Sequence, residues 1–116
     1  MQRIYCKSKI HKARVTATEL DYDGSLELDP LLMFAADIDP WEQVQVLNLE
    51  NGLRLWTYVI PGKRGSGTVS LKGPAARTAA IGDRVIVITY AIGTREEWNA
   101  REPIAIHVDE KNRVVE

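Results

Sequence analysis

Cysteine, histidine and an excess of either charge are what this sequence has least of, and each shortage closes off a class of function. Cys6 is the single cysteine, so no internal disulfide can form, and one thiol is too few for a cysteine-based zinc cage. The two histidines, His11 and His107, lie far apart, with no His-x-x-x-His spacing and no carboxylate cluster beside them, so no metal is expected. Lys and Arg total 15 against 16 Asp and Glu, and this balance argues against a general nucleic-acid binder, which needs a basic excess to displace counterions. Nowhere do about 18 apolar residues run together, as a membrane-spanning helix would require. The opening Met1-Gln2-Arg3-Ile4-Tyr5-Cys6-Lys7 lacks the apolar stretch of a signal peptide. A soluble, cytoplasmic protein of a reducing compartment, with neither membrane nor nucleic acid as partner, is the expectation. Two familiar catalytic loops are also missing. Gly62-Lys63-Arg64-Gly65-Ser66-Gly67 does not match the phosphate-binding pattern and precedes a strand, and neither Ser25 nor Ser66 sits in a Gly-x-Ser-x-Gly elbow.

What is present is enough apolar material, 45% of 116 residues, to bury one core, so residues 1–116 read as a single domain. Charge, balanced in total, is segregated along the chain. Arg3, Lys7, Lys9, Lys12 and Arg14 precede any acid, whereas Val15 to Leu53 holds acids and no Lys or Arg. The two segments either attract each other, within the fold or between subunits, or lie on solvated faces.

Gly and Pro punctuate the chain at short intervals, and the segments between them alternate apolar and polar residues with a period of two, a strand-dominated pattern. Early strands are expected around Ile4 and Cys6 and from Ile10 to Ala17, and a further one at Leu26 and Leu28. Val44 and Val46 lead through Asn51-Gly52 into Leu53–Ile60, a hairpin for which a type I′ turn is expected. Thr68–Leu71 and Arg84–Tyr90 follow, the latter apolar enough for burial on both faces, and Ile104–Val108 could pair with Arg113–Val115. Asp29-Pro30 and Gly73-Pro74 each open a short helix, and a helical turn is weakly signalled at Glu96-Glu97-Trp98. Six or seven short strands with two brief helices suggest a mainly β, small closed barrel, because closure removes exposed edges.

Tyr22-Asp23-Gly24-Ser25 is ordinary turn chemistry on its own. Taken with Lys9-Ile10-His11, Asn51-Gly52-x-Arg54, Thr57-Tyr58 and Arg64-Gly65-Ser66, it resembles the pyruvoyl-dependent aspartate 1-decarboxylase family, in register from the N-terminus to at least Asp83. The resemblance implies a double-psi β-barrel assembled as a homotetramer with active sites at subunit interfaces. It implies decarboxylation of L-aspartate to β-alanine for pantothenate and coenzyme A synthesis, with a covalent pyruvoyl group formed from Ser25 and no metal, and it leaves room for a helper protein in maturation. Self-cleavage between Gly24 and Ser25 would give chains 1–24 and 25–116. The Ser25 hydroxyl attacks the preceding carbonyl to give an ester, elimination leaves dehydroalanine, and hydrolysis releases ammonia. Glycine before serine suits a strained turn.

Other roles follow from the same resemblance. Thr57 would support ester formation by hydrogen-bonding the scissile carbonyl, although a β-branched residue is equally natural in a strand. The pyruvoyl ketone would form a Schiff base with the substrate amine and act as an electron sink, and Tyr58 would return a proton to the product. Arg54 would bind a substrate carboxylate, Lys9 would add a second positive charge, and His11 and Tyr22 would line or order the site. Gly73 and Ala75 would line the substrate pocket.

Position 72 departs from the family pattern, in which asparagine is followed by glycine and a run of alanines; here the stretch reads Lys72-Gly73-Pro74-Ala75-Ala76-Arg77. If Lys72 points into the pocket beside Arg54 and Lys9, three cations converge, repulsion lowers the pKa of at least one lysine unless an anion is bound, and dicarboxylic substrates are favoured. If it snorkels outward, it is irrelevant to selectivity. A diverged decarboxylase acting on another acidic amino acid, and an uncut, non-catalytic binding barrel, remain the alternatives.

Overall fold

The basic N-terminal segment forms one long strand, β1 (Gln2–Arg14), in a computed structural model that describes residues 1–115. Its inward positions shift phase: Ser8 and Ile10 are buried, and so are Ala13 and, just past the strand's end, Val15. The three-residue step between Ile10 and Ala13 breaks the period of two, and a bulge in which Lys12 adopts φ 64° absorbs it. The chain continues as β2 (Ala17–Glu19), β3 (Leu26–Leu28), helix α1 (Pro30–Ala35), β4 (Gln43–Asn48), β5 (Arg54–Pro61) and β6 (Val69–Lys72). A single 3-10 helix (Gly73–Thr78), β7 (Arg84–Thr94), helix α2 (Arg95–Trp98), β8 (Ile104–Val108) and β9 (Val114–Val115) complete the described residues.

Neighbouring strands follow the order β2-β6-β3-β5-β4-β7-β1-β8-β9. Only Val15 and Thr16 separate β1 from β2, and both bond across the gap, Val15 N–H to Asp83 O and Thr16 N–H to Val69 O. Counted as one strand, β1 with β2 therefore closes the order on itself through β6, β3, β5, β4 and β7, and the result is a six-stranded barrel. Parallel ladders β2–β6 and β3–β5 interrupt an otherwise antiparallel barrel, a mixed pairing consistent with the double-psi type. Strands β8 and β9 lie outside the closed ring, β8 parallel to β1 and β9 antiparallel to β8, which raises the described strands to nine.

The interior is filled by branched aliphatic residues from every wall: Leu26, Leu28, Val44, Val46, Val59, Leu71 and Val85 are all but inaccessible. Each contributes about 1.5 to 3 kcal/mol by leaving water. Only one face of a barrel strand looks inward, so the expectation of burial on both faces of β7 holds in part. Within Arg84–Tyr90, Val85, Val87, Ile88 and Thr89 are buried, but Ile86 and Tyr90 are half-buried. A buried hydroxyl pair, Ser8 Oγ with Thr89 Oγ1 at 2.6 Å, marks the first irregularity in the β1–β7 ladder.

The Asn51-Gly52 hairpin is present, with Leu47 opposite Arg54, but its turn is not type I′. Only Gly52 has positive φ, 75°. Gly52 N–H bonds to Asn48 O and Asn48 N–H to Leu53 O, giving a wider loop in which the side chains of Asn48 and Asn51 accept from Glu50 N–H and Leu53 N–H. Those side-chain acceptors stabilise the longer loop in place of a second left-handed residue. Both expected short helices form, and α2 adds the weakly signalled third, capped reciprocally by Thr94 and Glu97.

Asp29 caps α1 and does more. It is buried, and its carboxylate accepts from Leu31, Gly65 and Gly67 N–H, so it organises the glycine-rich loop that had no phosphate-binding role. Burial works to raise its pKa, but the three backbone donors outweigh that effect and hold it below the ordinary carboxylate value. The segregated charges also meet: Lys7 pairs with Glu42 at 2.8 Å, joining the basic strand to the acidic segment. Among the described residues no helix is long and apolar enough to cross a membrane.

Candidate active site

Between β2 and β3 the chain makes the Tyr22-Asp23-Gly24-Ser25 turn, and its backbone is unusual at two successive residues. Gly24 has φ 138° and Ser25 φ 109°, a region that a residue with a Cβ occupies at a cost of about 1 to 3 kcal/mol. Ser25 is also buried, and its Oγ is the one buried side-chain polar atom without a hydrogen-bond partner among the described residues. A buried hydroxyl left unpaired adds a further cost of about 1 to 3 kcal/mol. Strain and an orphaned nucleophile therefore coincide at one residue.

Ser25 borders a cavity of about 410 Å³ whose opposite wall is β5. Leu55, Trp56, Thr57 and Tyr58 all reach it. Tyr58 stacks on Trp41, ring centroids 5.7 Å apart, which fixes its ring. A Cβ built on Gly24 would lie 3.9 Å from the Tyr58 hydroxyl, so that hydroxyl faces the turn directly.

The third wall is the end of β6 and the 3-10 helix. Gly73 has φ 66°, and a Cβ there would fall 2.8 Å from both Gly24 N and Gly24 Cα, so only glycine lets this segment close on the turn. Ala75 lines the cavity beside it. Lys72 also borders the cavity, is buried, and follows neither alternative raised by the sequence. Its ammonium is hydrogen-bonded to Glu19, stands 3.4 Å from Glu27 and lies 4.4 Å from the Tyr22 ring centroid. The Glu19 hydrogen bond raises the Lys72 pKa against the effect of burial, and Glu27 reinforces it. Within the single chain, carboxylates and not Arg54 or Lys9 surround the Lys72 ammonium, and its own pKa is raised rather than lowered.

The remaining residues suggested by the sequence stand apart. Arg54 is exposed at the start of β5 and does not line the cavity. Lys9 and His11 lie on β1 beside β8, where His11 meets His107 edge-on at 5.5 Å. Burial is the largest cause lowering the His11 pKa, with Lys12, His107 and Lys9 adding to it. Tyr22 is exposed on the turn, under Lys72. The structure thus brings Gly24, Ser25, Thr57, Tyr58, Lys72, Gly73 and Ala75 together, and leaves Lys9, His11 and Arg54 outside the cavity.

A family model described as aspartate decarboxylase matches residues 1–115. The chain belongs to the aspartate decarboxylase family. Aspartate 1-decarboxylase of Thermoanaerobacter pseudethanolicus is 52% identical over 99% of this chain and 98% of its own. The Desulfitobacterium hafniense protein of the same name is 54% identical over 99% of this chain and 91% of its own. Aspartate 1-decarboxylase 1 of Gloeobacter violaceus is 53% identical over 99% and 98%.

In this member of the family several supporting residues were not singled out from the sequence. Glu19 and Glu27 hold Lys72, and the signal for them was the run from Val15 to Leu53, whose acids can find cations only elsewhere in the chain. Asn48 is buried, and its Nδ2 donates to Thr78 O (3.1 Å) and Asp83 Oδ2 (2.9 Å); Asn51 Nδ2 also donates to Thr78 O. These bonds fasten the 3-10 helix, and with it the cavity wall, to the hairpin loop. Its signal was a polar residue in phase with inward-facing Val44 and Val46. Among the described residues no group of three His, Cys, Asp or Glu is arranged to hold a metal ion.

Proposed function

We propose that this chain cuts itself between Gly24 and Ser25 and then decarboxylates L-aspartate to β-alanine and carbon dioxide, using a pyruvoyl group made from Ser25. One observation carries the reading: Ser25 combines positive φ with a buried Oγ that has no partner, beside a cavity. The residues fit the group, since Gly73 keeps side-chain bulk off the turn and Ala75 keeps the adjoining wall small. Full-length identity to proteins named aspartate 1-decarboxylase supports the substrate.

Ser25 Oγ adds to the Gly24 carbonyl carbon as the Gly24–Ser25 C–N bond breaks, and the hydroxyl proton passes to the departing nitrogen, leaving an ester and a free amine. Loss of the Ser25 Cα proton then breaks the Cβ–Oγ bond and frees the Gly24 carboxylate. Addition of water and departure of ammonia complete the group on the chain beginning at residue 25. Release of the strain at Ser25 favours the first step, and Thr57, on the same cavity, donates to the developing oxyanion.

When present, the pyruvoyl group supplies an electron sink for the pair left by departing carbon dioxide. Tyr58 holds a proton on its hydroxyl beside the turn and delivers it to the α-carbon of the product. Arg54 binds a substrate carboxylate, with Lys9 adding charge and His11 and Tyr22 ordering the site. Arg54, Lys9 and His11 lie outside the cavity of a single protomer, so a homotetramer with shared sites is part of this proposal, as are a cytoplasmic location, pantothenate and coenzyme A synthesis as destination, and room for a maturation helper.

Intact-mass measurement during warm incubation tests the reading. Chains of 24 and 92 residues (116 minus 24) should appear, and because water is gained and ammonia lost, their masses should sum to about one dalton above the precursor. The cleaved protein should release carbon dioxide and β-alanine from L-aspartate. A chain that stays whole, or a cleaved chain that leaves aspartate untouched, would reject it.

A further inference from the structure

We propose that Lys72 is a positioning residue for cleavage of the Gly24–Ser25 bond, and that its charge is withheld from the substrate. The proposal rests on the self-cleavage reading above and assigns a device to it. β6 runs between β2 and β3, the two strands from which the turn is suspended. In the parallel ladder Lys72 stands opposite Glu19, the last residue of β2; in the antiparallel one Leu71 stands opposite Leu26, next to Glu27. The Lys72 ammonium reaches both carboxylates. It therefore ties the strand before the turn to the strand after it.

The same residue holds the turn at two further points. Lys72 N–H donates to Ser25 O at 3.0 Å, and the ammonium lies over the Tyr22 ring. The next residue, Gly73, closes directly on Gly24. A turn held at positive φ relaxes unless its ends are fixed, and the attack of Ser25 on the neighbouring carbonyl depends on keeping that geometry. An ammonium has three donors and a flexible stem. Committed to two carboxylates and an aromatic face, Lys72 has little attraction left for an incoming carboxylate, although it lines the cavity. After cleavage Glu19 belongs to the N-terminal chain and Lys72 to the other, so the pair then tethers the end of the small chain beside the site.

The test follows cleavage of freshly purified precursors by intact mass, alongside thermal unfolding and, once cleaved, kinetics on aspartate. Lys72→Met keeps the length and removes the charge. It should cleave about tenfold to 100-fold more slowly, as a displaced reacting group does, whereas Lys72→Arg should recover much of the rate. Once cleaved, Lys72→Met should keep its KM for aspartate within about twofold of wild type. A merely structural lysine would lower the unfolding temperature and leave the cleavage rate of folded precursor unchanged. If Lys72→Met does not fold, the Glu19→Gln, Glu27→Gln double variant opens the same clamp and should slow cleavage equally. Cleavage at the wild-type rate in folded Lys72→Met, or in the double variant, would overturn the positioning role alone. A tenfold or larger rise in KM would overturn the claim that the charge is withheld. A wild-type chain that never cleaves would instead remove the self-cleavage reading, and the positioning role with it.

Discussion

Gly73 packs onto Gly24 so closely that a Cβ on the former would fall 2.8 Å from the backbone of the latter. Gly73→Ala should therefore push the turn away from the 3-10 helix and force alanine into φ 66°. The two effects together should cost about 1 to 3 kcal/mol. Thermal unfolding checks the stability loss and intact mass checks cleavage, which should slow or stop. An alanine variant as stable and as rapidly cleaved as wild type would show that the close approach is dispensable.

Ser25 contributes two separable costs, and two substitutions divide them. Ser25→Ala removes the unpaired hydroxyl and keeps the Cβ, so it should match or exceed the stability of uncut wild-type precursor by up to about 1 to 3 kcal/mol. Ser25→Gly also relieves the positive φ, offset by about 0.5 to 1 kcal/mol of added chain entropy in the unfolded state. Neither variant should cleave. Denaturant melts of all three uncut proteins measure the differences, and a less stable Ser25→Ala would mean that the hydroxyl is paired in solution.

Acid should weaken the fold through Asp29. Its pKa is held below the unfolded value by three backbone donors that outweigh burial. With a depressed folded pKa, the stabilisation is fully present above the unfolded value near 3.8 and is lost as pH falls through the folded value. Asp29→Asn has one acceptor oxygen for these donors and sets an N–H₂ against another. It should lose about 2 to 3 kcal/mol at neutral pH and show a flatter loss of stability below pH 4. Unfolding followed at several pH values decides the matter, and equal acid sensitivity in both proteins would exonerate Asp29.

Much of the barrel was legible because alternation survives wherever a strand has one inward face: Val44 and Val46, Leu26 and Leu28, and Val85 and Val87 are all interior. Closure was harder to read, because it depends on β1 passing into β2 through two residues and on parallel ladders that join strands distant in sequence. The hairpin was identifiable from Asn51-Gly52, yet its turn type was not, since Asn48 and Asn51 side chains accept bonds that lengthen the loop. At the site, the turn, Thr57, Tyr58, Gly73 and Ala75 assemble within the single chain. For Lys72 the sequence leaves an inward and an outward orientation open. Its partners were already in the chain, on short strands whose neighbours cannot be read from local pattern.

Arg54 provides a test of the assembled site. In the single chain Arg54 is exposed at the start of β5. A carboxylate held by an arginine open to water gains little, and losing that contact would reduce kcat/KM about fivefold at most. Covered by a second copy of the chain, the same pair would be desolvated, and its loss would cost about 30-fold or more. Shared sites therefore require the larger effect: Arg54→Ala should cleave normally, keep the oligomeric state of wild type and lose at least that much kcat/KM on aspartate. Sedimentation, intact mass and steady-state kinetics on one preparation separate the cases. A cleaved Arg54→Ala protein with the wild-type oligomeric state and near-normal turnover would remove Arg54 from substrate binding.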